Sequence, residues 1–290
     1  MKSFLIIDSH ALIHRFFHAL PPLTSLEGEP IQAIYGLAGV ILKIFKEHKP
    51  AYVAAAFDRP EKTFREEKFK EYKIHRPPAA PELISQLIKA RELFELFNIK
   101  TLDLAGFEAD DIIGTLVEKF KNDKELAEGK IVILSGDLDV LQLVENNKVV
   151  AQIIKTGVTN TVLYNEEDVR KRYLLSPSQL ADYKGLVGDP SDNIPGVKGI
   201  GPKTATELLK DFGNVKEVFD SITIIPPKIA KKLEGQEQVA ALSKELATIK
   251  RDVPIQVNSL DEFMVLPLQK EKLIPYFEKL GFQTLVERIG

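Results

Sequence analysis

Phe4-Leu5-Ile6-Ile7-Asp8 is an apolar run that ends in a carboxylate, and the pattern recurs twice along the chain. Tyr52-Val53-Ala54-Ala55-Ala56-Phe57 leads into Asp58, and Ile131-Val132-Ile133-Leu134 leads through Ser135-Gly136 into Asp137. Between these runs lie stretches with apolar residues at helical spacing, over 33–45, 81–97 and 109–120. Apolar runs without polar alternation, separated by helices, predict an α/β fold with a mainly parallel central sheet covered on both faces. Ligands of such sheets bind at the carboxyl ends of the strands, where Asp8, Asp58 and Asp137 fall. Acids far apart in sequence are therefore expected in one crevice.

Three clusters enlarge that set: Glu108 with Asp110 and Asp111, Asp137 with Asp139, and Asp189 with Asp192. So many carboxylates in one cleft raise one another's pKa values unless cations neutralise them. Oxygen donors in a chain without cysteine favour Mg²⁺ or Mn²⁺ over Zn²⁺. On a helix starting near Glu108, Glu108 and Asp111 share a face and Asp110 lies about 100° away. Two ions, or one ion with water-bridged acids, are expected. Each acid taken singly has a plainer explanation as a helix cap or a turn residue; the alignment of the set at strand ends points to a metal site. His10, His14 and His18, spaced by four, could line one helical face as ligands. No acid completes a zinc-protease pattern around them, so they read as the edge of a core stripe, with His10 nearest the site.

Directly after Asp189 and Asp192 comes Gly196-Val197-Lys198-Gly199-Ile200-Gly201. It reads as a hairpin between two helices. Gly196, Gly199 and Gly201 let backbone amides approach phosphate, while Lys198 and Lys203 add charge; such a contact reads backbone and not bases. Pro202 suits a first helical position, with a helix over 203–211 ending at Gly213. Upstream, residues 59–76 carry Arg65, Lys68, Lys70, Lys73 and Arg76, with Tyr72 available for stacking on a single strand. This segment ends at Pro77-Pro78 and is expected to be a mobile, partly helical arch over the crevice; the plainer alternative is a solvated basic helix. Arg15, on the first helix, is a further phosphate candidate.

At 290 residues the chain can hold one large domain with an appendage. The expected division is an α/β core over 1–180, including an arch at about 59–80, and a helical region over 181–290 with a helix–hairpin–helix at about 185–212. No apolar run reaches membrane-span length, and the N-terminus enters a strand-like run at once. A soluble, unexported, cytoplasmic protein is expected, with monomer as the default. The net charge of −3 is unusual for a nucleic-acid binder, but dications in an acidic cleft reverse the sign locally. Metal ligands beside a phosphate grip suggest hydrolysis of a phosphodiester. A DNA-structure-binding protein without turnover stays open, as does a Mg²⁺-dependent phosphatase or ribonuclease on a similar sheet.

Taken together, Ile7-Asp8, Phe57-Asp58, Gly106-Phe107-Glu108-Ala109-Asp110-Asp111, Gly136-Asp137-Leu138-Asp139, Gly188-Asp189-Pro190-Ser191-Asp192-Asn193 and the glycine hairpin resemble the flap endonuclease and 5′–3′ exonuclease family, in particular the 5′ nuclease domains of bacterial DNA polymerase I. Tyr72-Lys73 with Arg76 resembles the family's basic arch motif. The resemblance implies a PIN-like core, a helical arch and a helix–three-turn–helix element. It implies two or more Mg²⁺ ions on Asp8, Asp58, Glu108, Asp110, Asp111, Asp137, Asp139, Asp189 and Asp192, and K⁺ in the helical hairpin. Lys73 and Arg76 would contact the scissile phosphate, and Asp110 and Asp137 would be indispensable for cleavage. The implied substrates are 5′ flaps, 5′ single-stranded ends and RNA primer–DNA junctions, and the implied partner is a DNA polymerase in replication and repair. Leu138, Pro190 and Ser9 depart from the family pattern without removing a carboxylate. No polymerase segment follows Gly290, which leaves a stand-alone nuclease and an excised domain equally open.

Overall fold

The computed structural model describes residues 2–158 and 160–289. Six strands, β1 (Ser3–Asp8), β2 (Tyr52–Ala56), β3 (Lys100–Leu102), β4 (Lys130–Ser135), β5 (Val149–Thr156) and β6 (Asn160–Tyr164), form one sheet in the order β3-β2-β1-β4-β5-β6. The first five are parallel and β6 runs antiparallel to β5. Parallel neighbours need crossovers, and helices supply them. Helices α1 (Ser9–Ala19) and α2 (Gln32–His48) join β1 to β2, α3 (Phe64–Lys68) and α4 (Pro81–Leu96) join β2 to β3, and α5 (Ala109–Phe120) joins β3 to β4. The chain runs outward from β1 through β2 to β3, then returns to β4 on the other side of β1. That reversal opens a crevice beyond the carboxyl ends of β1 and β4.

The pleat explains why these strands are apolar throughout. Successive side chains face opposite sides, and both sides are buried. Leu5, Ile7, Val53, Ala55, Val132 and Leu134 join one core with α1, α2 and α4. Phe4, Ile6, Ala54, Ala56, Ile131 and Ile133 join the other with α5. Phe4 stacks on Phe263 at 5.3 Å between ring centres and meets Phe120 edge-on at 5.9 Å.

After β6 the chain is helical: α6 (Glu166–Tyr173), α7 (Leu180–Val187), α8 (Pro202–Phe212), α9 (Val215–Asp220), α10 (Pro227–Leu233), α11 (Glu237–Ala247), α12 (Lys270–Leu280) and α13 (Gln283–Ile289). Leu186, Val197, Leu208, Leu209, Val218 and Leu233 build a separate apolar cluster in this part. The last part of the chain packs back on the sheet. Ile249, Val257, Leu260 and Phe263 return to one face of the sheet, and Leu273, Phe277, Phe282 and Leu285 return to the other. The helical region is thus an excursion from the α/β core, and the chain closes on that core. No described helix is long and apolar enough to cross a membrane.

Candidate active site

The crevice is a cleft of about 380 Å³ lined by Asp8, Asp58, Glu108, Asp110, Asp137, Asp139 and Asp192 together with Lys73 and Arg76. Acids from three strand ends and one helix start meet there, as the strand order requires. Asp8 ends β1 and caps α1, its Oδ1 accepting the Ala11 amide at 3.2 Å. The Ser135 hydroxyl donates to Asp8 Oδ2 at 2.5 Å and accepts the Asp137 amide at 2.9 Å, tying the ends of β1 and β4 together. Asp58 Oδ1 accepts the Ala109 amide at 2.6 Å, which pins the end of β2 to the start of α5.

Crowding shows in the protonation equilibria. Burial lifts the Asp8 carboxyl from 3.8 to about 7, and the Asp58 and Asp137 charges add to it against the Ser135 and Ala11 hydrogen bonds. Asp110 is pushed well above the carboxylate range by its enclosure and by Asp8, Asp137 and Asp139. Burial raises Asp139 to about 6 although the Lys184 ammonium works against it. Carboxyls held in this condition call for positive charge.

The chain's own cations supply part of it. Lys73 Nζ bonds Glu108 Oε1 at 2.7 Å, and Arg76 Nη2 bonds Asp192 Oδ1 at 2.5 Å. Lys184 on α7 bridges Asp139 and Asp189, at 2.6 Å from the latter. Burial opposes the Lys184 charge, but the two carboxylates outweigh it and raise its pKa. Asp189 moves the other way: the Lys184 charge and the Ser191 bonds lower its pKa against partial burial. With these cations between the acids, no described group of three or more histidines or carboxylates is gathered closely enough to hold one ion. The donor set is nonetheless all hard oxygen, crowded and proton-retaining, and it fits divalent ions once the ammonium and guanidinium groups move aside.

Several expected site residues are committed to partners within the chain, although Glu108, Arg65 and Tyr72 line the cleft. Glu108 is the cap of α5, with φ −91° and ψ 162°, so it stands outside the helix and the three-residue rule does not reach it. Asp110 consequently shares the cleft with Glu108, while Asp111 turns into the interior. Asp111 is 0% exposed and its two oxygens accept Arg65 Nη1 and Nη2 at 2.7 and 2.8 Å. That bidentate pair consumes the carboxylate expected to hold metal and the guanidinium expected to hold DNA. Tyr72, expected to stack on bases, is buried, with its hydroxyl on Asp192 at 3.1 Å and on Glu108 at 3.3 Å. Arg15 bonds the Lys155 carbonyl at the end of β5 and does not line the cleft. Lys68 pairs with Glu245, and Lys70 is exposed.

The arch segment is short, with α3 as its helix and turns from Lys70 to Arg76. It rests on the loop after α7: the Lys73 amide donates to the Asp192 carbonyl at 2.9 Å, and Asn193 Nδ2 donates to the Glu71 carbonyl at 2.8 Å. Lys73 and Asn193 both take positive φ, at 54° and 57°. The expected hairpin lies between α7 and α8. Lys198, Gly199, Gly201 and Lys203 are exposed on it, while Gly196 is buried with its amide on Ser243 Oγ at 3.0 Å. The His10 and His14 rings meet tilted by 30° with centres 4.8 Å apart and Nε2 atoms 3.1 Å apart at the rim, and His10 Nε2 lies 3.7 Å from Asp58.

Three residues with clear roles were not singled out from the sequence. Ser135 and Ser243 carry no signal beyond ordinary serine. Lys184 is five residues before Asp189, so a cation on the helix leading to the last acids was a readable clue.

The comparisons with known proteins agree with this geometry. The family model described as 5′-3′ exonuclease, N-terminal resolvase-like domain matches residues 3–174, and that described as 5′-3′ exonuclease, C-terminal SAM fold matches residues 175–271. DNA polymerase I of Bacillus subtilis is 41% identical over 290 residues, covering 100% of this chain and 32% of the polymerase. The chain thus spans about a third of the length of that relative. The 5′-3′ exonuclease of Aquifex aeolicus is 33% identical over 289 residues and is covered over 96% of its length. Among solved structures, the bacteriophage T5 D15 protein co-crystallised with metal ions superposes with a TM-score of 0.69 at 20% identity, over 99% of this chain and 97% of that one. The catalytic core of Rad2 in complex with DNA substrate gives 0.64 at 16% identity, over 99% and 91%. The two structures share the fold; the sequence matches carry the relationship, and by them the chain belongs to the 5′-3′ exonuclease family, a family of metal-dependent nucleases.

Proposed function

We propose that this protein is a Mg²⁺-dependent, structure-specific 5′ nuclease that cuts phosphodiesters where a 5′ single strand meets duplex DNA. The observation that carries the reading is the meeting of Asp8, Asp58, Glu108, Asp110, Asp137 and Asp139 in one cleft, beside Lys73 and Arg76. These acids, with Asp189 and Asp192 at the second flank, would hold Mg²⁺ or Mn²⁺, which would supply Lewis-acid activation of water and stabilisation of the leaving 3′ oxygen. The carboxylates position the ions and are not nucleophiles; the products carry a 5′ phosphate and a 3′ hydroxyl. Lys73 and Arg76, hydrogen-bonded to Glu108 and Asp192 here, turn to the scissile phosphate and help to orient it. The hairpin amides and Lys198 and Lys203 grip the duplex backbone without reading sequence. A second cavity of about 570 Å³ adjoins the cleft across Lys73 and Arg76, and its Phe57, Ile84, Ile88 and Phe107 offer apolar walls to the unpaired 5′ strand.

This reading extends to 5′ flaps and RNA primer–DNA junctions as substrates, K⁺ in the hairpin, and action beside a DNA polymerase in the bacterial cytoplasm as a monomer. The test is an end-labelled 5′-flap duplex incubated with Mg²⁺ or with EDTA. Cutting near the junction only with Mg²⁺ is expected, and Asp110→Ala and Asp137→Ala should abolish it while duplex binding survives. Tight binding without cutting by the unaltered protein would make it a structure-recognition protein instead.

A further inference from the structure

We infer that Arg65 and Asp111 act as a positioning pair for cleavage, fixing the base of the arch and the acid-bearing start of α5 to the end of α11, the helix that packs against the hairpin proposed to grip DNA. The inference rests on the nuclease reading above and adds to it a positioning role for two residues whose charges are spent largely on one another.

Both side chains are enclosed, Arg65 3% and Asp111 0% exposed. Nη1 and Nη2 of Arg65 hold Asp111, Nε donates to the Leu246 carbonyl at 2.8 Å, and Nη2 donates to the Thr248 carbonyl at 2.9 Å, while Nη1 also lies 3.5 Å from Glu108 Oε2. Asp111 is equally committed, its Oδ1 accepting the Lys250 amide at 2.8 Å and its Oδ2 accepting the Glu108 amide at 3.1 Å. One ion pair thus joins three segments: α3 at the arch base, the start of α5 with Glu108 and Asp110, and residues 246–250 at and just beyond the end of α11.

The far side of α11 leads to the hairpin. Ser243 accepts the Gly196 amide, Lys244 pairs with Asp182 at 2.7 Å, and Gly185 of α7 packs so closely that a Cβ there would lie 2.9 Å from the Lys244 Cβ. On the near side, Leu246 and Ala247 pack with Tyr72 and Ile194 in a small apolar cluster, next to Lys73. Duplex seated on the hairpin therefore bears on α11, and α11 bears on the arch and the acids through Arg65.

Stability alone does not account for such a pair. Desolvation of two buried charges offsets most of their attraction, and apolar replacements of similar volume are commonly as stable. What apolar side chains lack is direction. The planar fork fixes angles as well as distances, and a lysine in its place keeps the charge but loses the bidentate geometry. A reacting phosphate misplaced by about 1 Å can lose about 100-fold in rate.

The test compares the unaltered protein with Arg65→Met/Asp111→Leu, which removes both charges together, and with Arg65→Lys, which retains the charge. Three quantities are measured on a 5′-flap duplex: Mn²⁺ stoichiometry by electron paramagnetic resonance, duplex dissociation constant, and single-turnover cleavage with the cut sites mapped. Expected for both variants are unchanged Mn²⁺ stoichiometry, unchanged duplex affinity, a cleavage rate lower by about 100-fold, and cuts scattered over neighbouring bonds. A rate and cut pattern like the unaltered protein in either variant would reduce the pair to a structural ion bridge. Loss of a bound Mn²⁺ would make Asp111 a metal ligand after all. Absence of cutting by the unaltered protein would overturn the nuclease reading itself.

Discussion

At the scale of single residues, the site is decided by where each carboxylate points. Asp8 shows the cost of assembling it. Folded Asp8 keeps its proton to about pH 7, whereas an unfolded chain releases it near 3.8. Between those values the folded state binds more protons than the unfolded, so stability falls as pH rises through the window. His14 acts oppositely in an overlapping range, since burial lowers its imidazole to about 4. Asp8→Asn separates the two. In EDTA its stability relative to the unaltered protein should climb by about 2–4 kcal/mol between about pH 4 and pH 7, read from melting temperatures; a difference independent of pH would show that Asp8 is ionised throughout. The strand-end acids were legible because an apolar run followed by Asp is a pattern in the sequence itself. That Asp111 turns into the interior was not legible, because one residue decides whether a helix starts at or after Glu108, and the chain marks that boundary only weakly.

At the scale of elements, the hairpin and the arch behave differently. The hairpin was legible because Pro202 and Gly213 bracket α8 and glycines have few other uses at that density. Its glycines are unequal. A Cβ on Gly196, at φ +63°, would lie 2.2 Å from the Gly188 nitrogen, while one on Gly201 meets no atom within 4 Å. Gly196→Ala should therefore lose at least about 2 kcal/mol in urea denaturation. Gly201→Ala should stay within about 1 kcal/mol of the unaltered protein while binding duplex more weakly, because the added methyl stands on the exposed face of the turn. Equal stability losses would mean that the turn is built differently. The arch was legible as a basic segment only. Its contacts with residues 189–193 and 246–248 link positions more than a hundred apart, and local composition carries no trace of them.

At the scale of the whole molecule, the chain's return matters most. Phe263, 1% exposed, fills the second core beneath Phe4 although it follows the entire helical excursion. Phe263→Ala should cost about 3–5 kcal/mol, measured by urea denaturation, with metal-dependent cutting retained by the folded fraction. A fragment of residues 2–174 should fail to fold cooperatively, since both faces of its sheet lose apolar cover; a sharp melting transition for that fragment would show that the sheet needs no help from the C-terminal segment. The sheet was legible in β1, β2 and β4, and not in β5 although that strand is the longest. β3 has three residues, too few for any periodicity, and the return of 249–289 is a choice made by packing.

The way Asp8 closes the start of α1 has a wider consequence. Sheets with this strand order commonly present an open helix start at the reversal point, where amides and dipole attract an anion. Here both helix starts beside the crevice already hold a carboxylate, Asp8 on α1 and Asp58 on α5. The polarity of the crevice is inverted. A frame that could bind phosphate by itself is set to reject bare anions, so the backbone of a nucleic acid can approach its centre only behind positive charge that has arrived first.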